Sequence, residues 1–130
     1  MKQLFLTLAL MLFLSVGAYS QNKIDRLVES YSTLGNSTFT SVVDRNQQTR
    51  KVQKVVKSLT IKGAHVSQLK KAFKEEAETG TFRESRNGEV ETYLLTVEKS
   101  QQSRLYMLTL SGNVAYRTGK CTIIIKMKDH

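Results

Sequence analysis

The sequence predicts an α+β domain, with two helices packed on one face of a mostly antiparallel sheet of about five to six strands. Two stretches in the first half of the chain repeat apolar residues at helical spacing. The second half, after Gly80, alternates apolar and polar residues between short polar turns. This alternation is typical of antiparallel strands that have one buried face and one solvated face.

The chain begins with a segment that has the composition of a secretory signal peptide. A lysine precedes the apolar run Leu4–Val16, and the small residues Ala18 and Ser20 occupy the positions that a signal peptidase reads. The apolar run is short for a membrane span. We therefore expect that 1–20 is removed, that 21–130 is the exported domain, and that no stable membrane span remains after cleavage. A retained N-terminal anchor is the alternative.

Length and composition limit the class of protein. Removing 20 residues from the 130-residue chain leaves 110, which is enough for one domain with one core. Cys121 is the one cysteine of the sequence, so an internal disulfide framework is excluded. The formal net charge of +9 favours attraction to anions, although it carries no information about the fold.

Two amphipathic helices are expected in the first half of the chain. In Gln21–Leu34 the apolar side follows helical spacing, with Asn22 as the N-cap and Gly35 as a left-handed C-cap. Ala64–Thr79 shows the same period, and Gly80 is expected to close that helix. The predicted buried positions of the two helices are Ile24, Leu27, Val28, Tyr31 and Leu34, then Val66, Leu69, Phe73 and Ala77.

A strand pair is expected between the two helices. Thr38–Asp44 is rich in β-branched residues and predicts a strand. Arg50–Lys62 fits two templates, because its apolar residues match both a helix and a strand that Lys57 interrupts. The polar turn Arg45–Thr49 is short, and β-branched side chains lose rotamer freedom in helices. We therefore favour a strand that pairs with Thr38–Asp44.

The second half predicts a meander of strands. Thr81–Arg86 is a charged edge candidate, and Asn87-Gly88 is a strong signal for a two-residue hairpin turn. Glu89–Lys99, Arg104–Leu110 and Lys120–Lys128 follow. Their predicted buried positions are Tyr93, Leu95, Val97, Tyr106, Leu108, Leu110, Cys121, Ile123, Ile125 and Met127.

Motifs for the common catalytic chemistries are missing from the sequence. It contains no HExxH, CxxC, GxSxG, GxGxxG or GxxxxGK[ST] pattern, and His65 and His130 are far apart, so we expect no metal and no cofactor. Cys121 occupies an apolar strand position, where a thiol behaves as a small hydrophobe. A hydrolase is the alternative if a pocket brings two acids together, such as Glu91 and Glu98. The candidate acids are Asp44, Glu84, Glu89, Glu91 and Glu98.

The strongest charge feature is the run from Arg50 to Lys74, which contains eight basic residues and no acidic one. We expect it to contact an anionic partner, such as a lipid headgroup, an acidic polysaccharide or another protein. A solvated surface is the alternative and the commoner role of such runs. Nucleic acid is not expected, because Phe73 alone among aromatic residues lies between the lysines. The predicted contact residues are Arg50, Lys51, Lys54, Lys57, Lys62, Lys70, Lys71 and Lys74.

Four segments precede the meander in this order: IDRLVESYSTLG, FTSVVDR, KVVKSLTIKG and LKKAFKEEA. Together they resemble a family of small exported domains of unknown function from Bacteroidetes. The resemblance covers nearly all of 21–130 and implies the periplasm or cell surface of a Gram-negative bacterium. It implies no catalytic residues. The leading hypothesis is a non-enzymatic envelope binding module, and a structural component of an envelope assembly, which would expose a contiguous apolar patch, is a further alternative.

Overall fold

The structure is a computed structural model that describes residues 22–112 and 117–128. The predicted signal peptide, 1–20, lies outside these residues. The elements, in chain order, are α1 (Lys23–Tyr31), β1 (Thr38–Arg45), β2 (Val52–Lys62), α2 (Ala64–Glu75), a 3-10 turn (Ala77–Thr79), β3 (Thr81–Asn87), β4 (Val90–Glu98), β5 (Gln102–Ser111) and β6 (Thr118–Met127).

The six strands of the described residues form one antiparallel sheet in the order β1-β2-β6-β5-β4-β3. This confirms the predicted α+β class. Arg50–Lys62 contains a strand, as favoured, and β2 pairs with β1 on one side and with β6 on the other. The strand is the stable choice because both neighbours supply hydrogen bonds while Leu59 and Ile61 become buried on one face. The last strand thereby joins the first hairpin to the meander.

The core lies between the two helices and one face of the sheet. Most predicted core positions are confirmed, although Leu27 and Leu34 are only partly buried against the core. Ala77 is also only half-buried, because α2 ends at Glu75, before this residue. Ala72 is buried instead. Met127 is exposed at the last position of β6. The largest of the fully buried side chains are Tyr93, Tyr106, Phe73, Ile24, Leu59, Ile61, Leu69, Leu95, Leu108, Leu110, Ile123 and Val28.

The start of α1 is a capping box, which confirms Asn22 as the N-cap. The Asn22 side chain accepts a hydrogen bond from the Asp25 N–H at 3.0 Å, and the Asp25 carboxylate accepts one from the Asn22 N–H at 3.0 Å. The predicted C-cap is wrong, because α1 ends at Tyr31 and Gly35 does not have a positive φ. The Ser32 N–H instead bonds the Val28 carbonyl in a right-handed turn.

Gly80 does not close α2 in a left-handed conformation, because its φ of −165° is extended backbone. The residue is needed for space, since a Cβ atom at this position would collide with the carbonyl of Thr96 on β4. We expect Gly80→Ala to lower the free energy of unfolding by roughly 1 to 3 kcal/mol in urea titration. Gly35→Ala is the matched control, because a Cβ there meets nothing within 4 Å. Equal stability of the two variants would contradict this account.

The β3–β4 turn lies one residue later than predicted. Asn87 pairs with Val90, so the turn residues are Gly88 and Glu89, and Gly88 alone of the pair has a positive φ, 65°. A glycine with positive φ at the first turn position is the requirement of a type II′ hairpin. The observed register also places Arg86 opposite Glu91, a contact that the turn sequence by itself does not reveal.

Candidate functional site

The eight basic residues that were predicted to form one contact surface are divided between three places. Arg50 and Lys51 lie in the β1–β2 turn. Side chains of β2 alternate between the two faces of the sheet, so Lys57 lies on the helix-covered face and Lys54 and Lys62 lie on the other. Helix α2 carries the remaining three lysines. Because side chains alternate along a strand, lysines of β2 that are close in sequence lie on different faces of the sheet.

The lysines of α2 adjoin cations of α1. A depression of about 330 Å³ lies between the helices, and a second one of about 400 Å³ lies beside it on α2. Lys71 and Glu75 line both depressions, which makes them neighbours. We call the cations of this region the helix-layer basic surface: Lys23, Arg26, Lys70, Lys71 and Lys74. Prediction from the charge run missed Lys23 and Arg26, although their spacing of three residues places them on the same side of α1.

Glu75 is the acidic residue among those that line the two depressions. Its carboxylate bonds the Lys23 ammonium and lies 4.0 Å from Lys71 Nζ. The hydrogen bond from Lys23 is the main reason that the pKa of Glu75 is below its ordinary value. Glu75 therefore stays ionised and orients two lysines. The residues that line the described depressions include five cations and one acid, so the net charge of this lining is positive.

Glu91 is a buried carboxylate, 3% exposed, at the start of β4. It bonds Arg86, lies 3.3 Å from Arg117 Nη2 and 3.5 Å from Lys70 Nζ, and accepts a hydrogen bond from the Tyr93 hydroxyl at 3.3 Å. The hydrogen bond from Arg86 lowers the pKa of Glu91 to about 2 against the opposing effect of burial, and Lys70 and Arg117 add to the lowering. A carboxylate that stays ionised in this way lacks the raised pKa of a general acid.

The structure does not bring Glu91 and Glu98 together. They are seven residues apart on β4, which places them on opposite faces of the sheet and about 23 Å apart along the strand. The Glu98 carboxylate lies on the open face and pairs with Lys128 Nζ at 2.9 Å. Of the remaining acids, Asp44 is near the end of β1 and Glu89 is in the β3–β4 turn. Glu84 on β3 lies opposite Tyr93, whose hydroxyl donates to Glu91, so it adjoins the cluster around Glu91.

A second buried carboxylate connects α1 to β5. Oδ2 of Asp25 accepts hydrogen bonds from Arg104 Nη1 at 2.9 Å and from the Tyr106 hydroxyl at 2.9 Å. All three side chains are buried. Burial and then the Asp25 charge raise the pKa of Tyr106, so its hydroxyl keeps its proton and donates. Sequence reasoning missed this cluster, although Arg104 has the same alternation as the buried residues Tyr106 and Leu108.

Cys121 and His65 have surroundings typical of structural residues. Cys121 is fully buried, and burial raises the pKa of its thiol to about 12, so that the nucleophilic thiolate is disfavoured at neutral pH. The ring of His65 packs 4.5 Å from that of Tyr31, between centroids. His130 lies outside the described residues. Within 22–112 and 117–128, no group of three or more His, Cys, Asp or Glu side chains is placed to hold a metal ion.

None of the helices in the described part of the chain has the length and apolar character needed to cross a membrane. Searches of curated proteins and of solved structures gave no match. A family model described as a domain of unknown function (DUF5024) matches residues 21–118, about three-quarters of the 130-residue chain. The resemblance to a domain of unknown function is thus confirmed, and the chain belongs to the DUF5024 family.

Proposed function

We propose that the protein is an exported, non-enzymatic binding module of a Bacteroidetes envelope, and that its partner is an acidic polysaccharide. The observation that carries this proposal is the pair of adjoining depressions lined by the helix-layer basic surface. Glu75 neutralises part of this charge through Lys23 and Lys71, and Glu91 does so through Lys70. The five cations of the surface still outnumber these two acids. The export part of the proposal rests on the leader-like segment at the start of the chain.

The shape and exposure of this surface favour a flexible polyanion. Concave sites of about 330 and 400 Å³ admit single sugar-sized groups, and a polymer with repeated charges reaches both depressions at once. The Lys71 side chain is 80% exposed, so it is available for contact. Attraction between solvated charges weakens as salt is added, because the screening length falls. Binding is therefore expected to be salt-sensitive.

The non-enzymatic part of the proposal is supported by the roles of the reactive groups. Asp25 and Glu91 are buried and paired with arginines, and the Cys121 thiol is enclosed in the core. These groups stabilise the fold in the positions they occupy. The hydrolase alternative needs two acids near a common substrate position, and the candidate pair Glu91 and Glu98 lies on opposite faces of the sheet.

The proposal predicts that charge reversal acts only at the helix layer. We expect the triple variant Arg26→Glu, Lys71→Glu, Lys74→Glu to weaken binding of dextran sulfate at least tenfold at low salt. The matched control is Arg50→Glu, Lys51→Glu, Lys54→Glu, which makes the same change in net charge near the β1–β2 turn and should retain most of the affinity. Calorimetric titration of the purified protein measures both, with uncharged dextran as the ligand control.

Three outcomes would contradict the proposal. Equal losses in the two triple variants would mean that net charge, and not the helix-layer basic surface, attracts the polymer. Failure of the unaltered protein to bind dextran sulfate at low salt would remove the basis for a polyanion partner. Binding to phosphatidylglycerol vesicles without binding to dextran sulfate would reassign the partner to a lipid surface.

A further inference from the structure

The two edges of the sheet differ in how they are protected. An edge strand presents unpaired backbone N–H and C=O groups, and charged side chains are a common protection against pairing. β3 carries Arg83, Glu84 and Arg86 along its length. β1, the opposite edge, has a strand neighbour on one side only among the described residues, and Phe39–Val43 contains no charged residue. β1 is therefore the edge that is open to pairing.

Two exposed valines indicate what kind of partner fits β1. Val42 is 61% exposed and Val43 is 47% exposed. Neighbouring residues of a strand point to opposite faces of the sheet, so a partner that rested on one face would cover only one valine. A strand added at the edge flanks both. This favours a partner that extends the sheet.

We propose that this partner is β1 of a second copy of the chain, paired antiparallel about a two-fold axis that passes beside Ser41. The segment FTSVV has a palindromic pattern, because in both directions it reads apolar, β-branched, Ser, β-branched, apolar. Self-pairing places Ser41 opposite Ser41 of the second copy. Phe39 then faces Val43, and Thr40 faces Val42, each twice by symmetry. The two six-stranded sheets become one sheet of twelve strands.

This register satisfies the side-chain pairing rules on both faces. Aromatic residues opposite β-branched ones are favourable cross-strand pairs, and Phe39 already packs against the core, where Val43 of the second copy would extend the contact. A register centred on Val42 would place Phe39 opposite Arg45 and Val43 opposite Ser41. In the proposed register the two Asp44 residues are about 20 Å apart, so like charges do not face each other.

Salt dependence separates this pairing from the polyanion binding proposed above. The full chain has a formal charge of +9, and removal of 1–20 with Lys2 leaves +8, so two copies repel each other at long range. Added salt screens this repulsion and is expected to strengthen the dimer. The same salt weakens binding to a polyanion. The two associations therefore respond to salt in opposite directions, so failure of one proposal can be distinguished from failure of the other.

Sedimentation across concentration and ionic strength tests the dimer. We expect the unaltered protein to show a concentration-dependent dimer and Val43→Lys to weaken it at least tenfold. Val90→Lys is the matched control, because Val90 is 40% exposed at the β3–β4 hairpin, and it should leave the dimer unchanged. Equal loss in both variants, or a monomer at every concentration and salt level, would overturn the proposal.

Cysteine crosslinking tests the register. Ser41→Cys brings two thiols together at the self-paired position and should give a covalent dimer on mild oxidation. The unaltered protein should give no covalent dimer, since Cys121 is enclosed in the core. Val90→Cys should also give none, because Val90 lies on β4 and not on the proposed interface strand. Efficient crosslinking of Val42→Cys in place of Ser41→Cys would overturn the proposed register. Absence of crosslinking at both positions would overturn pairing through β1.

Discussion

Replacing Arg104 with Met is expected to lower the free energy of unfolding by about 3 to 5 kcal/mol. The substitution keeps a long side chain in the core but removes the cation that lies 2.9 Å from the buried Asp25 carboxylate. Tyr106 and the Asn22 N–H still donate to Asp25, yet neither carries a compensating charge. The cost is large because a buried ion without its counterion is not solvated by water.

Urea unfolding of Arg104→Met against Arg83→Met measures this effect. Arg83 is exposed on β3, so its substitution should change stability by no more than about 0.5 kcal/mol. A double variant, Asp25→Asn with Arg104→Met, removes both charges and leaves an oxygen that accepts from Tyr106. It should be at least about 1 kcal/mol more stable than Arg104→Met alone, because the unpaired charge is gone. If Arg104→Met is as mild as Arg83→Met, the buried ion pair does not stabilise the fold.

The stability of the protein is expected to fall in acid because of Glu91. The pKa of about 2 in the folded state is below the ordinary value of 4.5, so the folded state binds fewer protons between these values. The contribution of Glu91 is therefore complete above pH 4.5 and is lost as the pH falls toward 2. We expect it to be about 2 to 3 kcal/mol, because solvent screens Arg86, whose side chain is 69% exposed.

Glu91→Gln separates charge from packing. Glutamine has nearly the same shape but does not ionise, so the variant should be about 2 to 3 kcal/mol less stable than the unaltered protein at pH 7. The gap should shrink to about 0.5 kcal/mol near pH 2, where the native carboxylate takes up its proton. Glu98→Gln is the exposed control and should differ little at pH 7. A gap that does not change with pH would mean that Glu91 acts through packing rather than charge.

The two proposals combine in a simple geometry. A two-fold axis that runs perpendicular to the sheet and relates antiparallel edge strands leaves both helix layers on the same side. The proposed dimer would then present two helix-layer basic surfaces in one direction. A long polyanion bound by both surfaces gains affinity from the second contact without any new type of interaction. Loss of the dimer should therefore weaken binding of long polymers more than binding of short ones.

Local periodicity was sufficient for the element types and much of the core. Arg50–Lys62 shows where it stops being sufficient, because the same apolar residues fit a helix and a strand. This segment is a strand because β2 forms hydrogen bonds with both β1 and β6. β6 lies some sixty residues further along the chain, so local periodicity does not reveal this pairing. Gly80 shows a second limit. Its position suggested a helix cap, whereas its neighbour Thr96, across the sheet, explains the glycine.

By itself the sequence determined the α+β class, the two helices, the strand segments and most of the buried side of each. It could do so because the spacing of apolar residues in a segment reflects which of its side chains are buried and which are solvated. Only the tertiary structure decided the strand order, the Asp25–Arg104 pair, the cations around Glu91 and the division of the basic run. These features depend on residues that are distant in sequence, as Asp25 and Arg104 are, separated by 79 positions. Their contacts leave no periodic signal, since they arise only when separate elements pack together.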